Sequence, residues 1–174
     1  MRRILAVLAL LCGLADGAHA QGTLRVYGDY PNVTVTGTLS ETILASIPIP
    51  AGAMPANGMA RLTWTAANNN SANNKVLTVR FGASSGVSGT SIATQTQTTN
   101  VSFQTVTMIR NANATGSQAI LSATNLAPYG TSTNTITAAA IDTTAQSFIN
   151  ITGTLANVAD SLTLNGWTLE IIKP

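Results

Sequence analysis

Histidine, cysteine and charged residues are scarce in this 174-residue chain, and their scarcity excludes several kinds of site. The only cysteine is Cys12 and the only histidine is His19. Both lie within residues 1–20, which have the composition of a removable leader. Without that segment the chain has no thiolate or imidazole, which excludes a conventional Ser-His-Asp or Cys-His site, a zinc site built on those ligands and a disulfide framework. We therefore expect no cofactor and no metal.

Charge is low and mixed in sign. The chain has 8 lysines and arginines against 6 carboxylates, for a formal net charge of +2. No basic patch is present to attract nucleic acid, so we expect no nucleic-acid partner. The carboxylates are scattered, with no close pair that would suggest a glycosidase dyad. The sequence thus predicts a protein that is not an enzyme, and a hydrolase ranks third among the alternatives.

Residues 1–20 begin with two arginines, continue with an apolar run from Ile4 to Ala15 and end in small residues. This pattern is typical of a secretory leader that is cleaved before Gln21. The run is too short to cross a bilayer and no comparable run follows it, so we expect no membrane embedding of residues 21–174. The alternative is an N-terminal anchor helix that stays in the mature protein.

The remaining sequence has the pattern of an all-β domain. In Ala60–Ala66 and Lys75–Phe81, apolar and polar residues alternate with a period of two, as in half-buried strands. Further candidate strands are 24–30, 33–38, 42–49, 101–109, 119–123, 133–138, 148–155 and 162–172. About ten short strands at this spacing predict an antiparallel two-sheet sandwich, jelly-roll-like, as a single domain over residues 21–174.

Three local features add expectations. The apolar phase of the last strand changes at Asn165-Gly166, which predicts a bulge or a tight turn. The asparagine-rich stretch between the strands at 60–66 and 75–81 predicts a hairpin tip, because asparagine tolerates left-handed backbone angles. Residues 81–91 are glycine-rich but lack the Lys-Ser/Thr ending of a phosphate-binding loop, which favours a flexible loop.

Four residues are candidates for surface binding. Tyr30 and Tyr129 each lie beside a proline, and a tyrosine in such a loop can stack on a sugar or contact a partner, or pack at the rim of the core. Asn69 and Asn70 belong to the asparagine-rich stretch, which would be a ligand loop if it is not merely a connection.

From Glu41 onward the chain resembles the small β-sandwich domains of tailed-bacteriophage structural proteins. The likeness is in the order of several short motifs: an Ile-Pro-Ala-Gly strand end, an Asn-Lys turn leading to a strand that closes in Phe-Gly, an Arg-Asn strand end and a terminal Leu-x-x-Trp-x-x-Glu strand. The matching residues are Ile49–Gly52, Asn74-Lys75, Phe81-Gly82, Arg110-Asn111, and Leu164, Trp167 and Glu170.

This resemblance implies a virion surface component, such as a head fibre, a decoration protein or a tail appendage. Its partners would be other virion structural proteins and further copies of itself, a trimer among the arrangements, with a host-surface glycan as a further partner. It implies no catalytic residue. The rival interpretation is a secreted carbohydrate-binding or adhesive module, periplasmic or extracellular, for which the leader and the tyrosines are the evidence.

Overall fold

A computed structural model describes residues 23–122 and 136–174, which form strands and connecting turns with no helix among them. The strands are β1 (Thr23–Asp29), β2 (Val33–Thr36), β3 (Thr42–Ile49), β4 (Met59–Asn68), β5 (Lys75–Gly82), β6 (Thr90–Gln97), β7 (Ser102–Asn111), β8 (Gln118–Ser122), β9 (Thr137–Ala139), β10 (Ser147–Leu155) and β11 (Ser161–Lys173). The predicted all-β class is confirmed.

The strands form two antiparallel sheets with the wrapping of a jelly roll. The larger sheet has the order β1-β11-β4-β7-β8-β9, with β2 also paired to β11, and the smaller has the order β3-β10-β5-β6. Successive strands β2 and β3, β4 and β5, β6 and β7, and β10 and β11 lie in opposite sheets, which is how a jelly roll winds. The predicted jelly-roll-like sandwich is therefore confirmed.

The core lies between the two sheets and is built by strand alternation. Leu62 and Trp64 of β4 face the gap from the larger sheet, and Val79 and Phe81 of β5 face it from the smaller one; all four are essentially unexposed. The Trp64 and Phe103 rings meet edge to face, with centroids 5.6 Å apart. Such aromatic pairs add roughly 0.5–1.5 kcal/mol beyond the burial of their area.

The predicted irregularity in the last strand is a bulge within one continuous strand. The register of β11 against β4 shifts between Leu164 and Gly166. On its other edge, β11 pairs with β2 up to Leu164 and with β1 from Trp167 onward. The bulge therefore divides β11 into two halves, each with its own partner on that edge.

The asparagine-rich stretch is not a hairpin tip, and this prediction is wrong. The strands on either side of it, β4 and β5, belong to different sheets, so residues 69–74 cross the edge of the sandwich. An alternating pattern shows that a segment is a strand and which face is buried, but it does not show which strand pairs with it. Loop composition alone cannot separate a hairpin from an intersheet connection.

Strand β6 was not predicted. It lies between the glycine-rich loop and β7, and its inward positions include Gln95 and Gln97, each 2% exposed. Because these buried side chains are polar, the strand lacks apolar alternation. Its neighbouring glycine-rich stretch is a loop only from Ala83 to Gly89, since Phe81-Gly82 and Thr90-Ser91 belong to strands.

Candidate interaction surfaces

Tyr30 follows β1 directly and is 72% exposed. Its backbone amide donates a hydrogen bond to Asp29 Oδ1 at 2.8 Å. The ring lies over the bulge in β11, where a Cβ added to Gly166 would be only 3.1 Å from Tyr30 Cδ2. Because Gly166 has no side chain, there is room for the Tyr30 ring to lie against the sheet.

A groove of about 480 Å³ opens beside β1, at the edge where the two sheets meet. It is lined by Tyr27, Gly28, Asp29, Ile47, Pro48, Pro50 and Trp167. Two half-buried aromatic rings, two prolines and one exposed carboxylate therefore share this edge. Tyr30 stands next to Asp29 in sequence, and Tyr129 lies outside the described residues.

Asn69 belongs to the intersheet connection and its hydrogen bonds are internal. Its side-chain amide donates to Asp160 Oδ1 at 2.9 Å, and its Oδ1 accepts the Ser161 amide at 2.8 Å. Asn70, next to it, is exposed. Ser161 opens β11 and Gly166, beside Tyr30, lies five residues further on, roughly 16 Å along a strand. The asparagines and Tyr30 are therefore not one site, and binding by any of them stays a prediction.

The same connection holds a buried charge that the sequence pattern did not predict. Lys75 is 0% exposed, and its Nζ donates to Ser71 Oγ at 2.7 Å, to the Asn73 carbonyl at 2.9 Å and to the Ser71 carbonyl at 3.3 Å. The hydrogen bond from Asn69 is the largest cause of the lowered pKa of Asp160, and the charge of Lys75 lowers this pKa further. The asparagine-rich stretch is thus a polar cap that satisfies a buried ammonium.

An ion pair lies on the smaller sheet. Arg80 donates through Nε and Nη2 to the two oxygens of Glu41, each at 2.8 Å. This bidentate contact is the main cause that lowers the pKa of Glu41, and a hydrogen bond from Thr152 acts in the same direction. Among the described residues, the ion pairs are this one and Arg61–Glu170.

One part of the outer face of the larger sheet, near the start of β1 and β4, is mostly apolar. Cross-strand pairing sets two rows side by side across it: Val26, Glu170, Arg61, Met108 and Leu121, then Leu24, Ile172, Met59, Arg110 and Ala119. Exposed fractions are 58% for Val26, 44% for Leu121 and 36% for Met108. We call these two rows, with Ile136 beside them, the outer apolar face.

A shallow groove of about 220 Å³ lies within the outer apolar face. It is lined by Met59, Met108, Arg110, Ala119, Ile120, Leu121 and Ile136. Sequence reasoning missed this surface, although a signal was present. Adjacent apolar residues in one strand, such as Ile120 and Leu121 in β8, place apolar side chains on both faces of the sheet.

The described residues hold no metal-binding cluster and no membrane-spanning helix. They contain no group of three or more histidine, cysteine, aspartate or glutamate side chains that could hold a metal ion. Residues 23–122 and 136–174 also contain no helix long and apolar enough to cross a membrane.

The strand order and the packed sheets define this chain as a jelly-roll β-sandwich. No protein-family model matches it, and no curated protein does. Solved structures similar to it include dimeric latent PorU from Porphyromonas gingivalis, with 7% identity, TM-score 0.42, and 87% of this chain and 13% of that chain covered.

Two other solved structures are similar at the same level. Infectious bursal disease virus, Gx strain, has 10% identity and a TM-score of 0.32, with 87% of this chain and 38% of that chain covered. Peanut lectin with a 9mer peptide has 10% identity and a TM-score of 0.38, with 92% and 95% covered. Likenesses this distant carry no information about function.

Proposed function

We propose that this chain is a non-enzymatic structural component of a bacteriophage particle, such as a head fibre, a decoration protein or a tail appendage. The observation that carries the proposal is the outer apolar face, because exposed apolar side chains grouped on one face of a folded domain mark a protein contact. The ordered strand-end motifs shared with phage β-sandwich domains direct the proposal to a virion. Its location is then the particle surface.

The partner that fits the outer apolar face is another virion structural protein with an apolar patch and a carboxylate at its edge. Arg110 lies on this face and is exposed, and its Nη2 contacts Met59 Sδ at 3.8 Å. Within residues 23–122 and 136–174 it has no carboxylate partner. An acidic residue on the partner would supply one, while apolar contacts supply most of the interface.

The test is incorporation into particles from a producing culture. Replacing Met108 and Leu121 by lysine puts two charges on the outer apolar face, and replacing Val87 and Val158, which are 48% and 52% exposed elsewhere, is the matched control. We expect the wild-type chain and the control to sediment with purified particles, and the outer-face variant to be lost by at least about tenfold. A wild-type chain found only in the supernatant would overturn the virion assignment.

The second candidate function is a secreted carbohydrate-binding or adhesive module, and the groove beside β1 favours it. Aromatic faces and a carboxylate can stack on and hydrogen-bond a sugar ring, as polar and apolar groups combine in ligand sites generally. Tyr30, next to Asp29, is the candidate glycan contact beside this groove; Asn70, on the intersheet connection, is a separate candidate, and Tyr129 remains a candidate. Binding on a glycan array that is lost in Tyr30→Ala or Asp29→Ala, and kept in the exposed-loop control Leu39→Ala, would support this function.

The state of residues 1–20 separates the two candidates independently. An intact mass that begins at Met1 in particles indicates a retained anchor on a virion component. A mass that begins at Gln21, found in the supernatant alone, indicates a secreted module. Neither outcome depends on which surface binds.

A further inference from the structure

Strand β1 presents an open edge. It pairs with β11 along one edge, and no other strand of the described residues pairs with the opposite one. Every residue of this 7-residue strand is exposed except Tyr27, which is half-buried. A long unpaired edge is a template for pairing with another chain. A second copy brings the same edge, so pairing between two copies requires that β1 be complementary to itself.

The charges of β1 are placed symmetrically. Arg25 and Asp29 lie two residues on either side of Tyr27, and the three side chains share one face of the strand. Asp29 accepts the Tyr30 amide, and neither charge belongs to an ion pair formed among the described residues. An antiparallel partner centred on Tyr27 would therefore meet opposite charge at both positions.

We propose that β1 pairs with β1 of a second copy, antiparallel, about a twofold axis through Tyr27. Arg25 then lies opposite the partner's Asp29, and Asp29 lies opposite the partner's Arg25. The two larger sheets become one continuous sheet across the axis. Opposite charges that face each other across antiparallel strands stabilise the pairing.

The other face of β1 is complementary in size. In the same register Val26, which is 58% exposed, faces the partner's Gly28, where no side chain occupies the surface. Leu24, which is 56% exposed, faces the partner's Tyr30, itself 72% exposed. An aliphatic side chain opposite an aromatic one is a favourable cross-strand pair. One register thus satisfies both faces.

Neighbouring registers are less favourable. In the joined sheet, the core-facing side chains of both copies must lie on the same side. The twofold axis must therefore pass through a residue of β1, and it can shift only by whole residues. An axis at Arg25 places two arginines opposite each other, which is repulsive. An axis at Val26 sets Arg25 opposite the partner's Tyr27, and an axis at Gly28 sets it opposite the partner's Pro31, so neither gives an ion pair.

The experiment exchanges the charges. By sedimentation velocity and native mass spectrometry, we expect the wild type to dimerise and Arg25→Asp and Asp29→Arg each to dimerise at least about tenfold more weakly, because like charges then face each other. The double variant R25D/D29R should dimerise again. Mixing the two single variants should give a heterodimer, since one chain then carries two aspartates on this face of β1 and the other carries two arginines.

Controls keep this inference separate from the proposed function. Arg110→Asp and the outer-face variant Met108→Lys/Leu121→Lys should retain the dimer, because neither alters β1. A dimer lost only in the outer-face variant would overturn the edge pairing and leave the outer-face contact standing. A monomeric wild type, or a double variant that stays monomeric, would also overturn it.

A crosslink tests the register without relying on charge. In a Cys12→Ser background, Tyr27→Cys places a cysteine opposite its own copy, at the roughly 4.5–5.5 Å Cα spacing of antiparallel strands, which suits a disulfide. Mild oxidation should give a covalent dimer with Tyr27→Cys and not with Arg25→Cys. Equal crosslinking of the two variants would contradict an axis at Tyr27.

Discussion

At the residue scale, Lys75 shows how a chain with few charges can bury one. The ammonium is fully enclosed, yet it donates three hydrogen bonds to acceptors in the intersheet connection. An ammonium can lie out of water when its hydrogen bonds are all made and a carboxylate is near. Here Asp160, held by Asn69, supplies that carboxylate.

Replacing Lys75 by methionine should destabilise the fold. The substitution keeps most of the apolar stem but removes the donors, which leaves the Ser71 and Asn73 carbonyls without their partner. The expected loss in the free energy of unfolding is about 1–3 kcal/mol, measured by chemical denaturation. Lys173→Met, at the end of β11, is the matched control and should change it by less than about 0.5 kcal/mol. Equal losses in the two variants would show that the hydrogen bonds of Lys75 contribute nothing.

The ion pair of Glu41 should make the stability of the fold depend on pH. Because Arg80 lowers the pKa of Glu41 in the folded chain below its ordinary value of 4.5, the folded state binds its proton less readily than the unfolded state. The stabilisation is therefore complete above the ordinary pKa and is lost as the pH falls through the folded pKa. Glu41→Gln should be less stable than the wild type at neutral pH, and the difference should shrink as the pH falls below 4.5 and through the lower pKa of the folded state.

Urea denaturation of both chains over this pH range measures the Glu41 effect. The comparison cancels the contributions of the other carboxylates, including Asp160, whose pKa is also lowered. A gap between the chains that stays constant down to the acid limit would mean that Glu41 acts through packing rather than through its charge.

At the element scale, most strands and the β11 bulge could be predicted from sequence, because apolar alternation and its change of phase are local properties. Strand β6 could not be, since Gln95 and Gln97 replace apolar residues at its buried positions. The partner of β5 could not be predicted either, because pairing depends on distant parts of the chain. The outer apolar face and the edge of β1 emerge only when the strand order is known.

The sheets pack so closely at Gly153 that a larger residue there should disturb the core. A Cβ added to this residue of β10 would be 2.9 Å from Val35 Cγ1 and 3.1 Å from Leu44 Cδ1. Both neighbours are buried, so Gly153→Ala should overpack the core and cost about 1–3 kcal/mol in the free energy of unfolding. Gly116→Ala is the control, because its added Cβ meets nothing within 4 Å. Thermal unfolding would contradict this account if the two variants melted alike.

At the scale of the whole molecule, several motifs behind the phage resemblance have structural roles. Asn111, at the Arg-Asn strand end, is fully buried, and its side-chain amide donates to the Met54 and Pro55 carbonyls. Gly82, in the Phe-Gly motif, lies close to Gly89: a Cβ added to Gly82 would be 2.9 Å from the Gly89 Cα. Asn111 and Gly82 therefore contribute to the packing of the jelly roll.

The two proposed contacts should respond differently to salt. Pairing through β1 relies on two exposed symmetry-related ion pairs, which salt screens, so raising sodium chloride from about 0.05 to 0.5 M should weaken the dimer between about twofold and thirtyfold. Contact through the outer apolar face relies on apolar burial, and sulfate salts should strengthen it. Sedimentation of the wild type and of R25D/D29R across a salt series, with incorporation into particles scored in parallel, measures both. If salt weakened both contacts equally, the outer contact would depend on charges such as Arg110 rather than on its apolar rows.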